Sequence, residues 1–116
     1  MKKHKYTWRQ FDQDIHRIAR RAQKLNKKFD GVWGPPRGGL PLAVCLSHTL
    51  RLPLLVKPMS KTLIVDDIAD TGKTLVRFAD SHVVATIFYH KQSIFEPTIW
   101  LRQKKNFWIM FPWEKS

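Results

Sequence analysis

An unbroken apolar run, Thr62-Leu63-Ile64-Val65, leads directly into the acidic pair Asp66-Asp67. The run lacks the alternation of apolar and polar side chains that marks a half-exposed strand, so it predicts a central strand covered on both faces. Such strands belong to parallel sheets flanked by helices, where ligands bind beyond the carboxyl ends of the strands. The run therefore predicts an α/β fold with the two aspartates at that edge.

Helix-like and strand-like segments alternate along the rest of the chain. Apolar residues recur at three- and four-residue steps across 8–25, which predicts an amphipathic helix with a capping box of Thr7 and Gln10. Helical spacing returns over 40–50, where Pro41 is tolerated in the first turn. The alternation predicts one α/β domain, residues 1–116, with a mainly parallel sheet flanked by helices. Strands are predicted at 29–34, 54–56, 62–65 and 82–88, and the start of a further helix at 71–79.

The composition is that of a globular chain without a membrane span. Of the 116 residues 43% are hydrophobic, yet no stretch approaches the roughly 18–20 apolar residues that a span needs. The basic N-terminus leads into the amphipathic segment and not into an apolar signal core. The single cysteine, Cys45, cannot form an internal disulfide, which fits a reducing compartment. We expect a cytoplasmic protein with no membrane partner.

The formal net charge of +12 is the most unusual property of the composition. A basic surface attracts anions, which include nucleic-acid backbones and polyphosphate substrates. Two interpretations of the outer face of the first helix stay open: a solvated face, or a surface that contacts nucleic acid. Its basic residues are Arg17, Arg20, Arg21, Lys24 and Lys28.

The segment from Asp66 to Thr74 places three carboxylates and two threonines within nine residues. Paired carboxylates can accept hydrogen bonds from vicinal ribose hydroxyls or hold a hydrated Mg²⁺. The stretch Thr71-Gly72-Lys73-Thr74 offers hydroxyls and backbone N–H groups where the predicted helix begins, and phosphate is favoured there. The segment therefore predicts a site for a phosphorylated sugar.

Two other interpretations of this segment explain less. Gly72-Lys73-Thr74 resembles the end of a Walker A loop, but that motif needs glycine where Asp67 stands, and a carboxylate there would repel phosphate. A helix cap alone uses one Asp or Thr, and it leaves the other acidic and hydroxyl side chains unexplained.

Residues 63–74 resemble the signature for 5-phosphoribosyl-1-pyrophosphate (PRPP) in the type I phosphoribosyltransferases, which implies a fold of that type. The resemblance implies that Asp66 and Asp67 bind the ribose hydroxyls and Mg²⁺, the metal either directly or through water. In the 6-oxopurine members, the carboxylate that matches Asp70 lies near the purine N7 and is a candidate general base. The 5-phosphate would be surrounded by Ala69, Asp70, Thr71, Gly72, Lys73 and Thr74.

Residues 32–40 are similar to the pyrophosphate loop of the same family, in which Arg-Gly-Gly follows a strand and precedes a helix. The resemblance assigns Arg37, Gly38 and Gly39 to PRPP. Glycine lets the backbone approach a diphosphate closely, and Arg37 adds a permanent charge with forked donors.

The C-terminal segment 107–114 resembles the end of the xanthine–guanine members and implies a small hood over a purine. Trp108 is expected to stack on the base, the backbone at Ile109 to contact its edge, and Glu114 to pair with an amino group. Lys91 is expected at the 6-oxo group, with His90 as the adjacent alternative. A different interpretation of the aromatic residues is that they pack on the core.

One departure from the family is a shortened flexible loop. Members usually carry a long loop before the PRPP strand that closes over the site, and here Lys57-Pro58-Met59-Ser60-Lys61 remains. Lys57 and Lys61 are expected to add charge near the diphosphate. The covering role would pass to a neighbouring subunit, and the family implies a homo-oligomer.

The resemblance implies an enzyme of purine salvage. It would transfer the 5-phosphoribosyl group from PRPP to guanine, xanthine or hypoxanthine with Mg²⁺, releasing pyrophosphate and a nucleoside monophosphate. The alternative is a catalytically weak regulatory protein that binds PRPP or a nucleotide and uses its basic face on nucleic acid. The charge and the short loop favour the alternative, whereas Asp70 and the C-terminal segment favour the enzyme.

Overall fold

The structure is a computed structural model that describes residues 2–114. Strands and helices alternate along it, as the sequence pattern predicts. In chain order the elements are β1 (Lys2–Lys5), α1 (Trp8–Lys24), β2 (Gly31–Trp33), α2 (Leu40–Leu50), β3 (Thr62–Ala69), a 3₁₀-helix (Val76–Phe78), β4 (Val84–His90), β5 (Ile99–Lys104) and β6 (Phe107–Met110).

A four-stranded sheet in the order β2-β3-β4-β5 forms the centre of the fold, and every pairing in it is parallel. Leu63, Ile64 and Val65 of β3 are fully buried, as expected for a strand covered on both faces. The predicted α/β fold, with a parallel sheet flanked by helices, is therefore confirmed. None of the helices within residues 2–114 has the length and apolar character needed to cross a bilayer.

Helix α1 begins where the capping box predicts. Thr7 Oγ1 accepts a hydrogen bond from Gln10 N at 3.1 Å, and Gln10 Oε1 accepts one from Thr7 N at 2.9 Å. The apolar stripe packs against α2, β4 and β5, while Trp8 at its start stays 58% exposed. The buried apolar residues of the stripe are Phe11, Ile15, Ile18, Ala19 and Ala22.

Helix α2 also has the predicted bounds, with Pro41 in its first turn. It buries Leu42, Ala43 and Leu46 against the sheet and ends at Arg51, which has a left-handed conformation with φ 56°. The prediction is confirmed because the run carries no residue that breaks a helix after the first turn.

The prediction of a strand at 54–56 is wrong. Leu54 forms only an isolated bridge with Val32, and the side chain of Val56 is 97% exposed. Pro53 flanks the bridge and has no N–H to donate, and the chain leaves the sheet after two backbone bonds to Val32. These bonds run from Val32 N to Pro53 O and from Leu55 N to Val32 O, both at 2.9 Å.

The prediction that a helix starts within 71–79 is also wrong, because only a 3₁₀ turn forms there, at Val76–Phe78. Strand β3 continues past the predicted 62–65 to Ala69, and Gly72 then takes φ +83°, a conformation that no α-helix contains. β4 likewise starts later than predicted, because His82 Nε2 lies 2.8 Å from the Met59 carbonyl and stays outside the strand.

The C-terminal hood contains a second, two-stranded parallel sheet. Phe107–Met110 pairs with Lys2–Lys5, so the two ends of the chain meet. The ring of Phe111 stacks on that of Trp113 and meets those of Tyr6 and Phe88 edge-on. The hood is therefore anchored to the strand β4 that leads into the site.

A buried carboxylate joins the hood, α1 and β5. The side chain of Asp14 is fully buried and accepts hydrogen bonds from the Tyr6 hydroxyl at 2.6 Å and from Arg102 Nε at 2.7 Å. Arg102 Nη2 and Arg17 Nη1 donate to its other oxygen at 3.2 and 3.1 Å. Burial, followed by the bond to Asp14, raises the pKa of the Tyr6 phenol, so Tyr6 donates this proton at any physiological pH.

We predict that Asp14→Asn lowers the free energy of unfolding by about 3 kcal/mol, because the change removes the fully buried charge that pairs with the partly buried guanidinium of Arg102. Arg17→Gln at the solvent side of the same carboxylate is the control and should cost less than about 1 kcal/mol. Urea unfolding of the two variants measures both values. Equal losses of unfolding free energy in the two variants would contradict this prediction, because they would show that burial of the Asp14 carboxylate adds nothing to the cost.

Candidate functional site

Two loops meet at the carboxyl ends of β2 and β3. The first, 34–39, joins β2 to α2, and the second, 70–75, follows β3. A Cβ atom added to Gly38 would lie 2.7 Å from Asp67 Oδ2, so the first loop packs closely against the end of β3. A cavity of about 220 Å³ opens beside them and is lined by Asp66, Asp67, Ile68, Ala69, Asp70, Thr71, Gly72, Thr74 and Leu75.

The acidic pair lies at the inner wall of this cavity. Asp66 is only 8% exposed, and its Oδ1 accepts a hydrogen bond from Asp67 N at 2.8 Å. Burial, with the neighbouring charge of Asp67, raises the pKa of Asp66 from 3.8 to about 9. Burial raises the pKa of Asp67 as well, and the charge of Glu114 adds to that rise. At neutral pH the pair therefore holds a proton and presents both a donor and acceptors.

The loop 34–39 is a tight turn that leads into α2. Gly39 N donates to Pro35 O at 2.9 Å, Leu40 N donates to Arg37 O at 3.2 Å, and the peptide between Pro36 and Arg37 is cis. Arg37 is exposed and forms no ion pair with another of the residues 2–114, so its guanidinium is free to meet an anion.

The segment after β3 is a turn and not the start of an α-helix. Val76 N donates to Gly72 O and Ile94 N to Thr71 O, both at 2.9 Å, which fixes the turn against the connection that follows β4. Thr71, Lys73 and Thr74 are exposed at its tip. Since α-helical amides are absent here, an anion at this turn would depend on hydroxyls, loop N–H groups and the Lys73 charge.

A second, smaller cavity of about 150 Å³ adjoins the first. The two share Asp67, Ile68 and Asp70, and the hood covers the second. Trp108 is 54% exposed, so a large part of its surface is available to a planar ligand. The residues that line this cavity are Asp67, Ile68, Asp70, Lys104, Trp108, Ile109, Phe111 and Glu114.

Asp70 stands between the two cavities, is bonded to one basic side chain and lies close to another. Lys104 Nζ donates to Asp70 Oδ2 at 3.1 Å, whereas His90 Nδ1 lies 3.2 Å from Asp70 Oδ1 without the geometry of a hydrogen bond. The side chain of Lys104 is 14% exposed, and its ammonium lies 5.8 Å from the centre of the Trp108 ring. One carboxylate, one imidazole and one ammonium group therefore lie close together beside the smaller cavity.

The structure brings together most of the residues that the sequence singled out, but not Lys91 or Lys61. Side chains alternate along β4, so His90 faces Asp70, whereas Lys91 is exposed in the next turn and lines neither cavity. Lys61 precedes β3 and therefore lies at the opposite edge of the sheet. Lys104 was missed because β5 was not predicted, although it pairs directly with His90 in the sheet.

Known structures share this arrangement of sheet, loops and hood. A purine phosphoribosyltransferase from Pyrococcus horikoshii superposes with a TM-score of 0.84 at 29% identity, covering 100% of this chain and 96% of that one. The chain has the type I phosphoribosyltransferase fold. The xanthine-guanine-hypoxanthine phosphoribosyltransferase of Helicobacter pylori superposes at 0.81 with 19% identity, covering 96% and 91% of the two chains. A hypothetical protein from Neisseria gonorrhoeae with bound ppGpp reaches 0.77 with 18% identity, covering 98% and 90%.

Sequence comparison leads to the same class of enzyme by a shorter match. An orotate phosphoribosyltransferase of Pyrococcus horikoshii is 30% identical over 80 residues, covering 53% of this chain and 43% of that protein. This chain thus matches less than half the length of that curated relative. No protein-family model matches the sequence. The relatives from Pyrococcus horikoshii and Helicobacter pylori are phosphoribosyltransferases, and they support an enzyme of that class.

We predict that stability falls as pH rises from about 4 to about 9, because folded Asp66 keeps a proton that the unfolded chain releases near 3.8. Asp66→Asn removes this dependence, so the variant should gain stability relative to the parent between pH 5 and pH 8. Urea unfolding at several pH values measures the effect. Asp12→Asn on the exposed side of α1 is the control, and an equal change in its pH profile would contradict the assignment to Asp66.

Proposed function

We propose that the chain is a purine salvage phosphoribosyltransferase, which transfers the 5-phosphoribosyl group from PRPP to a 6-oxopurine and releases pyrophosphate. The observation that supports it most is the pair of adjoining cavities that share Asp67 and Asp70. One cavity has the donors and acceptors for a phosphorylated sugar, and the other has an aromatic wall with polar groups at its rim. Two structural relatives are named for purine substrates, whereas the curated sequence relative is named for orotate.

The larger cavity would hold PRPP. Asp66 and Asp67 would bind the ribose hydroxyls, since a pair that holds a proton can donate to one hydroxyl oxygen and accept from the other. The 5-phosphate would lie against the turn at 69–74. Arg37 and the N–H groups of Gly38 and Gly39 would bind the diphosphate, where negative charge develops as it leaves.

Mg²⁺ is part of this proposal, and the acidic pair fits it in donor type. Burial raises the pKa of both carboxyls and the charge of Asp67 adds to the rise at Asp66, so a cation would favour their ionised forms. Residues 2–114 contain no cluster of three or more acidic, His or Cys side chains that could hold a metal ion, so Asp66 and Asp67 would hold a largely hydrated ion. The ion would supply charge neutralisation of the leaving group.

The smaller cavity would hold the base. Trp108 would stack on the purine, the backbone at Ile109 would contact its edge, and Glu114 would accept from an amino group. We assign the 6-oxo group to Lys104 and not to Lys91, because Lys104 lines the cavity and its ammonium has three donors. One donor can stay on Asp70 while another meets the base.

The reaction would form a bond from a purine ring nitrogen to C1 of the ribose while the bond from C1 to the diphosphate oxygen breaks. The purine then carries an excess proton on its ring, and Asp70 would accept it as the general base. The hydrogen bond from Lys104 would keep the carboxylate pointed at the base, with His90 beside it. The electron pair leaves with the diphosphate.

The short segment 57–61 would not cover the reacting centre alone, so we propose a homo-oligomer in which a second copy completes the cover. The high exposure of Val56, at 97%, fits an apolar contact with such a copy. The proposal treats residues 1–116 as one phosphoribosyltransferase domain acting in the cytoplasm, with PRPP and a purine base or nucleoside monophosphate as its ligands.

A second candidate is a regulatory protein that binds PRPP or a nucleotide with little turnover. The short segment favours it, and a structural relative is known with bound ppGpp. Binding without product formation would distinguish this candidate from the enzyme.

The test is incubation with PRPP, Mg²⁺ and guanine, xanthine or hypoxanthine in turn, with chromatography of the nucleotide and an assay of pyrophosphate. We expect equal amounts of both products with at least one of the bases. Asp70→Asn keeps the hydrogen-bonding shape but cannot accept the proton, and it should lower kcat about 100-fold or more. Unchanged turnover in this variant would remove the general-base role.

The base contact is tested by Lys104→Met beside Lys91→Met as the matched control. Loss of the ammonium at Lys104 should raise the KM for the purine about tenfold or more, since a hydrogen bond to a charged donor contributes about 1.5–3 kcal/mol. Lys91→Met should change the KM by less than about twofold. The reverse pattern would return the 6-oxo contact to Lys91.

A further inference from the structure

A third cavity, a cleft of about 400 Å³, opens at the amino edge of the sheet, opposite the site described above. Three connections converge on it at the starts of strands: 27–29 before β2, 60–62 at the start of β3, and 80–83 before β4. The residues that line it are Lys27, Lys28, Phe29, Ser60, Lys61, Thr62, Asp80, Ser81, His82 and Val83. The proposed transferase reaction uses none of them.

Unpaired positive charge dominates this cleft. Lys27, Lys28 and Lys61 are exposed, and none of them forms an ion pair with another residue of the described range 2–114. The nearby carboxylate of Asp30 offsets part of this charge and is held in place by hydrogen bonds from Lys61 N at 3.0 Å and from the Thr62 hydroxyl at 2.8 Å. Asp80 is the one acidic side chain on the lining, so the cleft is net positive.

The walls of the cleft are fixed while its lysines are free. His82 Nδ1 lies 2.7 Å from Ser81 Oγ and His82 Nε2 lies 2.8 Å from Met59 O, so the imidazole is held from both sides. The side chain of Phe29 lines the cleft and is partly exposed, with the rest of it packed against the core. A rigid floor with an aromatic ring and a rim of mobile ammonium groups is the combination that binds single-stranded nucleic acid.

The distribution of the lysines favours a chain of phosphates over a single phosphate. They come from two different connections and line the cleft as exposed point charges. Lys24, at the end of α1, extends the positive surface beyond the cleft. The outer helix face itself contributes less than its sequence suggests, because Arg17 and Arg21 are engaged with Asp14 and with the Trp100 carbonyl.

We propose that this cleft binds single-stranded nucleic acid, with Lys27, Lys28 and Lys61 on successive phosphates and a base on Phe29. The proposal does not depend on the transferase activity. β3 has Thr62 at one end and Ala69 at the other, a separation of about 23 Å at about 3.3 Å per residue, so the cleft and the phosphoribosyl site lie at opposite ends of one strand.

The experiment is fluorescence anisotropy of the full chain with a labelled 12-nucleotide single strand at several salt concentrations. The variant Lys27→Gln/Lys28→Gln/Lys61→Gln should bind about tenfold or more weakly, and the slope of log K against log salt should fall by about 2, since each phosphate contact on a single strand contributes about 0.7. Circular dichroism checks that the variant stays folded, which is expected because all three side chains are exposed.

The matched control is Lys2→Gln/Lys3→Gln/Lys5→Gln, which removes the same charge from exposed positions on β1. Lower net charge weakens the attraction to nucleic acid at long range in both triple variants. Beyond that shared effect, the control should change the affinity for the single strand by less than about twofold. Equal losses in the two triple variants would overturn the proposal and leave only non-specific attraction. Full competition by free pyrophosphate at low millimolar concentration would also overturn it, in favour of a small-anion site.

Discussion

Two neighbouring carboxyl groups at the end of a buried strand constrain the rest of this structure. β3 is covered on both faces through Val65, and Asp66 is still 8% exposed where the strand reaches the cavity. Removing a carboxylate from water is costly, and the pair responds by keeping a proton. A fold that served only stability would gain by placing apolar residues here. We therefore propose the acidic pair as a site of chemistry, supported by the stability of the sheet around it.

The hood depends on a different buried charge. Asp14 binds Tyr6 before α1 and Arg102 on β5, which aligns β5 so that Lys104 reaches Asp70 two residues further on. The same strand pairing puts Lys104 beside His90. In this way a structural ion pair on one side of the sheet positions the basic groups that meet the proposed general base. The two cavities are adjacent because β3 and β5 flank the same central strand, β4.

Much of the fold could be predicted from local patterns. α1 and α2 have the predicted bounds because their periodicity, capping box and first-turn proline are local signals. At 54–56 the predicted strand does not form, because Pro53 interrupts the backbone pairing and outweighs a short apolar run. At 71–79 the predicted helix does not form, because the positive φ of Gly72 outweighs the apolar spacing that follows it. β5 carries the mixed run Ile99-Trp100-Leu101-Arg102-Gln103-Lys104, whose pairing with β4 is a tertiary effect that no short window contains. For that reason the sequence pattern does not reveal Lys104, and it indicates Lys91 as the candidate for the 6-oxo group instead.

The central claim is that the turn after β3 and the acidic pair bind a phosphorylated sugar. Isothermal titration of the chain with PRPP in magnesium buffer tests it most directly, beside the double variant Asp66→Asn/Asp67→Asn. We expect saturable binding at one site per chain, weakened about tenfold or more in the variant, because hydrogen bonds to charged groups contribute about 1.5–3 kcal/mol each. A folded parent chain that shows no heat of binding with PRPP or with any nucleoside monophosphate would contradict the account.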